Sequence, residues 1–450
     1  MTLQDTPRRA PAVVRPDEER PLGDLRSRVG DGLGTWMRSP VLDFYALIAV
    51  GTLLIGFGLV MVLSSSSVTE LARGQSAFSG FLSQGTFALL GLVGLLAAAS
   101  LPPRFYERAA PVLIALGLAL QVLVHTPLGY DSGGNRNWIK ISGMTLQPSE
   151  LLKLALAVAL GALLTRLRPN LHRPRALILP LALVGVSLGL VLLGHDLGTA
   201  MVMAMLVAGS LWIAGVPRRW FALAGALGLV GVAGMVLTSA NRMARIHNWL
   251  TGTCEGDSCL QSDQGLMGLA EGGWWGVGLG KSAQKWGRLP AAQDDYIFAI
   301  IGEELGLLGT LIVVALFATL AFILLRMIAR AQSPFIQITI GGVGAWLLGQ
   351  AFVNMSVVTG LLPVLGVPLP FISAGGSSLV ASMLALGMLL SFARHEPGAK
   401  DAISARIGAV RRSSAVVPAS RDERTRPADR PSRRSRSARR SRTATRGRTR

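Results

Sequence analysis

Acidic and basic residues are sparse through the middle of this chain, so those that remain there stand out as chemistry. Asp294 and Asp295 adjoin each other just ahead of a long apolar run, and Glu303 and Glu304 lie eight residues further on. A carboxylate at the mouth of a helix either caps free N–H groups or acts in a site as a base. Glu303 falls about 12 Å along the helix from Asp295 and rotated from it. It could line the same cavity but could not touch Asp295, and a pair of in-span carboxylates predicts a polar cavity. Upstream, Lys281, Lys285 and Arg288 follow Gly272-Gly-Trp-Trp-Gly-Val-Gly-Leu-Gly280, and Arg242 and Arg245 come earlier in the same segment. Cations of this kind suit a diphosphate held near lipid headgroups. The glycine run has no GK[ST] ending and no preceding buried strand, so it is not a nucleotide loop. It reads as a flexible, Trp-bearing segment at a membrane surface.

Three smaller groups complete the set. Gly133-Gly-Asn-Arg-Asn-Trp138 places Arg136 and Trp138 beside a glycine turn, as an interfacial anchor or as a stacking and phosphate-flanking pair for a sugar. Glu150 and Lys153 share one helix face three residues apart and can pair, either to fix helix packing or to meet substrate. His195-Asp196 resembles a dyad, yet no Ser or Cys nucleophile accompanies it. Asp196 is expected to cap a helix, with Gly198 and Thr199 allowing close packing.

These residues need a scaffold, and the scaffold is a membrane one. The chain is 50% hydrophobic and only 15% charged over 450 residues, against about 25% charged in a soluble domain. Apolar runs of spanning length recur at Phe44–Leu63, Gly85–Leu101, Ala110–Val124, Glu150–Leu164, Leu177–Leu193, Leu197–Ala214, Phe221–Leu237, Tyr296–Leu325, Ile336–Asn354 and Gly375–Phe392. The first follows a polar tail and is a retained span, not a cleaved signal. The predicted fold class is an all-α polytopic membrane protein of about ten transmembrane helices. Alternating segments of a β-barrel are missing from the sequence. Lys and Arg concentrate in the loops after even-numbered spans and in both tails, which places both termini in the cytoplasm and the loop 238–295 outside. The domain plan is therefore a cytoplasmic tail 1–39, a membrane domain 40–393, and an Arg-rich cytoplasmic tail 394–450.

That last tail carries 18 Lys/Arg against 5 Asp/Glu, so about +13 of the formal +19. Its composition predicts disorder. It suits anionic membrane lipid or an acidic cytoplasmic partner, and nothing in it reads nucleic-acid bases. Cys254 and Cys259, the only cysteines, fall in the outward loop, where a lone close pair is expected to form a disulfide. Two thiolates make too few ligands for a zinc site.

Taken together, Gln147-Pro-Ser-Glu150 with Lys153, Asp196-Leu-Gly-Thr-Ala200, Gly278-Leu-Gly with Lys285 and Leu289-Pro290, Asp295-Tyr-Ile-Phe-Ala-Ile-Ile-Gly-Glu-Glu-Leu-Gly306, and Asn354-Met with Thr359-Gly-Leu-Leu-Pro363 and Pro370-Phe-Ile-Ser-Ala-Gly-Gly-Ser-Ser378 resemble the SEDS family (shape, elongation, division and sporulation). The likeness spans roughly Pro40–Arg394 and lies closest to the cell-division member. It implies a ten-span fold and an inverting peptidoglycan glycosyltransferase that polymerises lipid II at the outer face of the bacterial cytoplasmic membrane, with the division septum as its site of action. It implies undecaprenyl-diphosphate-linked glycan as substrate, a class B penicillin-binding protein as partner, and other division proteins met through the tails. It implies Asp295 as catalytic residue. Gln293-Asp294 stands where the family has His-Thr, and the cysteine pair lies outside the family pattern. Lys285, Arg245 and Arg136 are the expected cations for the departing diphosphate, with Trp138, Glu150, Lys153 and Glu303 as further substrate contacts. No metal ligands are assigned; a divalent ion, Mg or Mn, could ride on substrate phosphates near Asp295, and no organic cofactor is expected. The rival readings are a lipid II flippase, an elongation counterpart, and a scaffold for division proteins.

Overall fold

The computed structural model describes residues 41–399, except 73, 75, 77, 133–134, 142–143, 238–239, 252–256, 287–288, 290–291 and 397. The expected tails fall almost wholly outside the described residues, as does Cys254, and nothing is described of the Cys259 side chain.

Twelve helices are described, most of them long and apolar. They run α1 (Leu42–Ala72), α2 (Ser79–Ser100), α3 (Pro103–Leu123), α4 (Pro148–Leu167), α5 (Pro174–Leu193), α6 (Leu197–Ala214), α7 (Arg218–Leu237), α8 (Ala240–Thr251), α9 (Asp257–Gly272), α10 (Ile297–Arg330), α11 (Pro334–Val358) and α12 (Gly376–Arg394). Among the described residues nine are long and apolar enough to cross a bilayer: α1 to α3, α5 to α7 and α10 to α12. The remaining long helix, α4, coincides with the fourth expected span. It carries Glu150 and Lys153 and is the interior post of the bundle, with most of its residues buried.

Helices are the natural outcome, because lipid offers no partner to an unpaired backbone group. Their ends follow local rules. Proline sits in the first turn of α3, α4, α5 and α11, where its missing N–H would be unpaired anyway. Gly215, in the left-handed region, ends α6.

Around α4 pack α3 and α11; α11 in turn packs on α6 and α10, while α12 lies against α2. Small residues set these distances, as expected where packing rather than hydrophobic burial joins helices. At the α6–α11 crossing a Cβ on Gly209 would run into Ala345 and the Gly341 carbonyl, and one on Gly341 into Ile213. By contrast α7 leaves all but Val236 unburied and presents Leu227, Leu229 and Val230 outward.

Two features depart from the expected picture. Between α3 and α4 the chain forms a three-stranded antiparallel sheet, β1 (Gly129–Ser132), β2 (Asn135–Ile141) and β3 (Met144–Leu146), in the order β1-β2-β3. The segment 238–295, expected to be an outward loop, is also not irregular throughout, because α8 and α9 occupy its first part.

Candidate active site

The site is assembled around the connection between α11 and α12, residues 359–375, which reaches back among the helices. Gln350 on α11 donates to the Pro368 carbonyl at 2.8 Å, and Asn354, one turn on, donates to the Val367 carbonyl at 2.8 Å. Ser373 Oγ accepts from Leu369 N at 2.7 Å, and Gln84 on α2 donates to the Ser373 carbonyl at 3.2 Å. A polar, proline-rich connection can lie inside a membrane bundle only if its backbone is paired in this way.

The Asp295 segment is fastened to that connection through its backbone. Asn354 also donates to the Asp295 carbonyl at 2.7 Å, and Ala374 N donates to the Gln293 carbonyl at 3.0 Å. The Asp295 carboxylate itself takes no hydrogen bond among the described residues and remains half-buried. Gly366, with φ +66°, lies beside Asp295 Oδ2, and its positive φ rather than lack of space favours glycine there. Burial, then the charges of Asp294 and Asp196, push the Asp295 carboxyl up to about 7, while Arg245 acts in the opposite sense. A carboxyl poised near neutrality is suited to taking up a proton.

Asp196 enters this field from a distant part of the chain. It caps α6 as expected, Oδ1 accepting from Thr199 N at 2.8 Å, while Oδ2 accepts from Thr199 Oγ1 at 2.7 Å and Gln147 Nε2 at 3.2 Å. Gln147 N in turn donates to Ser377 Oγ at 2.9 Å, which ties α4 to α12. Sequence reading gave Asp196 a capping role only. Its effect on Asp295, 99 positions away, carries no local signal.

Arg245 reaches the site on α8. Its Nη1 donates to the Val364 carbonyl at 3.4 Å and Trp249 Nε1 to the Gly360 carbonyl at 3.0 Å, so α8 lies along the 359–366 stretch. The high amphipathicity of Ala240–Thr251 fits that role.

The other expected contacts are placed elsewhere. Glu150 and Lys153 pair at 2.8 Å deep in the bundle, where Lys153 Nζ also donates to Gln350 Oε1 at 2.9 Å and lies 4.9 Å from the Trp346 ring centre. Gln350 is therefore the link from this buried cation to the Pro368 carbonyl. Arg136 donates to the carbonyls of Val124 and Thr126 at 3.2 and 2.9 Å, closing the end of α3. Trp138 stands opposite Tyr130 in the β1–β2 pair, so Arg136 and Trp138 lie on a strand. Buried Asn137 and Ile139 alternate with them.

Glu303 and Glu304 are both engaged by protein donors, and neither is among the charges acting on Asp295. Glu303 accepts from Ser282 Oγ and Ala283 N, both at 2.5 Å. Glu304 pairs with Lys285 at 3.1 Å and accepts from Ser64 Oγ at 2.5 Å, and Lys285 Nζ also reaches the Ser64 carbonyl at 3.3 Å. Lys285 is 3% exposed, so it holds a protein carboxylate rather than facing solvent.

The glycine run explains why the loop sits there. Gly306, at φ 68° and ψ −165°, breaks α10 and strands backbone groups on both sides of the break. Residues 273–278 satisfy them: Val277 N and Gly278 N donate to the Glu303 and Glu304 carbonyls at 2.9 and 3.0 Å, and Leu307 N donates to the Gly273 carbonyl at 2.9 Å. Gly276, at φ +77°, abuts the Glu304 carbonyl so closely that no Cβ fits. The run expected to be a flexible surface segment is a splint across a broken helix. Trp274 and Trp275 still point outward, 69% and 81% exposed, as interfacial anchors would.

No group of three or more His, Cys, Asp or Glu among the described residues could hold a metal ion. An ion here would need substrate oxygens to complete its shell beside Asp295.

A many-helix membrane bundle with a poised carboxylate at the mouth of one helix defines the class of protein. The FtsW/RodA/SpoVE family of cell cycle proteins matches residues 45–397, and the chain belongs to that family. A probable peptidoglycan glycosyltransferase FtsW of Mycobacterium tuberculosis is 37% identical over 393 residues, which cover 87% of this chain and 75% of that protein. The protein of the same description from Nitrosococcus halophilus is 35% identical over 358 residues, covering 78% and 92%. Among solved structures, the rod shape determining protein RodA of Thermus thermophilus superposes with a TM-score of 0.60 at 25% identity, covering 78% of this chain and 97% of that one. A chain of a peptidoglycan synthase complex described as coordinating polymerization and crosslinking gives a TM-score of 0.65 at 24% identity, covering 79% and 98%.

Proposed function

We propose that this chain is a peptidoglycan glycosyltransferase that polymerises lipid II at the outer face of the cytoplasmic membrane, with Asp295 as general base. The observation that carries this reading is a half-buried carboxylate, poised near pH 7, at the mouth of α10 with Arg245 in its field. The 4-hydroxyl of one lipid-linked sugar attacks the anomeric carbon of another with inversion. Asp295 takes the hydroxyl proton as the new C–O bond forms and the bond to the lipid diphosphate breaks. General-base assistance of this kind is worth roughly 10²–10⁴-fold.

Arg245 is the cation placed to meet the diphosphate as negative charge collects on it. Lys285, Arg136, Lys153, Glu150 and Glu303 act at one remove, by holding the splint, the end of α3 and the 359–375 connection in place. A divalent ion, where one is used, would supply Lewis-acid charge on the diphosphate beside Asp295.

The family relationship supports a class B penicillin-binding protein as partner and the division septum as site of action, with the basic tail 394–450 available to anionic lipid or other division proteins. A flippase would need the in-span charges to line a path, whereas Glu150, Lys153, Glu303 and Glu304 are held in buried contacts.

The test is strand synthesis from labelled lipid II by the purified chain with its partner, comparing wild type with Asp295→Asn. Loss of polymerisation in a folded variant is the expected result. Transfer of labelled lipid II across vesicles without strand synthesis by wild type would select the flippase reading.

A further inference from the structure

At the end of the bundle remote from Asp295 lies a cavity of about 550 Å³, lined by Trp212 and Ile213 of α6, Phe221 of α7, Leu324 of α10 and Leu348 of α11. On α11 the lining residue Ile340 lies 14 residues from Asn354, and on α6 Trp212 lies 16 residues from Asp196, roughly 21–24 Å at 1.5 Å per residue, so the Trp212 end of the cavity lies in the opposite leaflet from the candidate active site. Given the Lys/Arg bias of the loops, that leaflet is the cytoplasmic one.

The volume is within the roughly 300–1,000 Å³ of ordinary ligand pockets, yet the walls are almost entirely apolar. Trp212 and Leu325, 56% and 65% exposed, put its mouth on the lipid-facing surface. Water gains nothing in such a space, because it needs polar partners, whereas a hydrocarbon chain recovers dispersion contacts the walls otherwise lack.

The mouth is cationic. Arg218 lies 5.8 Å from the Trp212 ring centre, and Trp212 meets Phe221 edge-on at 5.7 Å. Arg218 and Arg219 are both exposed, Arg219 donating to the His172 carbonyl at 3.4 Å and lying 5.9 Å from the Trp220 ring centre. The arginines at the same end of α10 are otherwise engaged, Arg326 with Asp43 and Arg330 with Glu396.

We propose that this cavity binds one acyl chain of an anionic glycerophospholipid of the inner leaflet, with its phosphate held by Arg218 and Arg219. The lipid packs against α6, α10 and α11, with Phe221 in the first turn of α7 at its edge. Neutral lipid could enter the cavity but would lack the charge attraction.

The full-length chain in phosphatidylcholine nanodiscs, doped with a trace of phosphatidylglycerol carrying a diazirine near the end of one acyl chain, tests this. Photolysis and peptide mapping should place label on Ile213, Leu324 or Leu348, about five- to thirtyfold above an equally labelled phosphatidylcholine. Arg218→Ala/Arg219→Ala, a surface pair, should bring the two probes level, and Ala208→Phe, which fills the cavity from an exposed position, should remove label from both. Equal labelling by the two headgroups in wild type would overturn the proposal. So would label spread evenly over the lipid-facing residues of α2 and α5, or displacement of the probe by a polyprenyl diphosphate at lower concentration than by phosphatidylglycerol.

Discussion

Two pairs of adjacent carboxylates stand at the start of α10, and the protein treats them in opposite ways. Glu303 and Glu304 are sunk in the bundle, and each is met by donors: Ser282 and Ala283 on one, Ser64 and Lys285 on the other. The Asp295 carboxylate stays half-buried with no hydrogen-bond donor among the described residues, in the field of two further acids and one arginine. A satisfied carboxylate is a structural fastener. One left unsatisfied beside like charges is held ready for a proton. Carboxylates eight or nine positions apart are thus told apart by their partners.

Asp295→Asn should lower strand synthesis by about 10²–10⁴-fold, measured as radiolabelled glycan per folded complex, with no fall in thermal stability. Glu304→Gln should do the reverse. Stranding the Lys285 charge in the interior is expected to cost about 3–5 kcal/mol, read as a drop in melting temperature and yield. Lys285→Met/Glu304→Gln together should recover much of that loss; if the double variant is as unstable as the single one, the pair is not the fastener.

Gly306→Ala should cost about 1–3 kcal/mol for an L-residue at φ 68°, ψ −165°, a conformation essentially reserved to glycine, and more because a Cβ there meets the backbone of Trp274 and Gly276. Hydrogen exchange should then quicken at Val277 and Gly278, whose donors lose a fixed acceptor, and unchanged protection there would show that the splint does not depend on the break. Arg245→Ala is expected to have the smallest effect on stability. Removing the one charge that favours the Asp295 anion should displace the acid limb of the activity profile toward higher pH.

The pH dependence of stability has a definite sign. The Asp295 carboxyl titrates higher in the folded chain than its ordinary value of 3.8. Its contribution is therefore fully present below about pH 4 and is lost as pH rises through about 7. Asp295→Asn should flatten that window in a chemical-denaturation series.

The spans were readable because an apolar run of about 20 residues has few other fates; α6 begins and ends at the residues the sequence marks. The poised aspartate was readable too, since it adjoins the first turn of α10. Long-range closures were not. Lys285 looked like a ligand for diphosphate because its partner, Glu304, meets it only after the glycine run folds back over the break at Gly306. The link from Asp196 to Asp295 joins different helices with no local trace. The strand at Asn135–Ile141 left little trace, because its buried face includes polar Asn137 while apolar Trp138 lies on the other face.

The most direct test is the single-turnover rate of lipid II coupling, measured from pH 5 to 8.5 for the wild-type chain with its partner. The account predicts a rate that rises with pH through an apparent pKa near 7, and no such limb in the residual rate of Asp295→Asn. A flat wild-type profile, or an Asn variant that keeps both the rate and the limb, would contradict it.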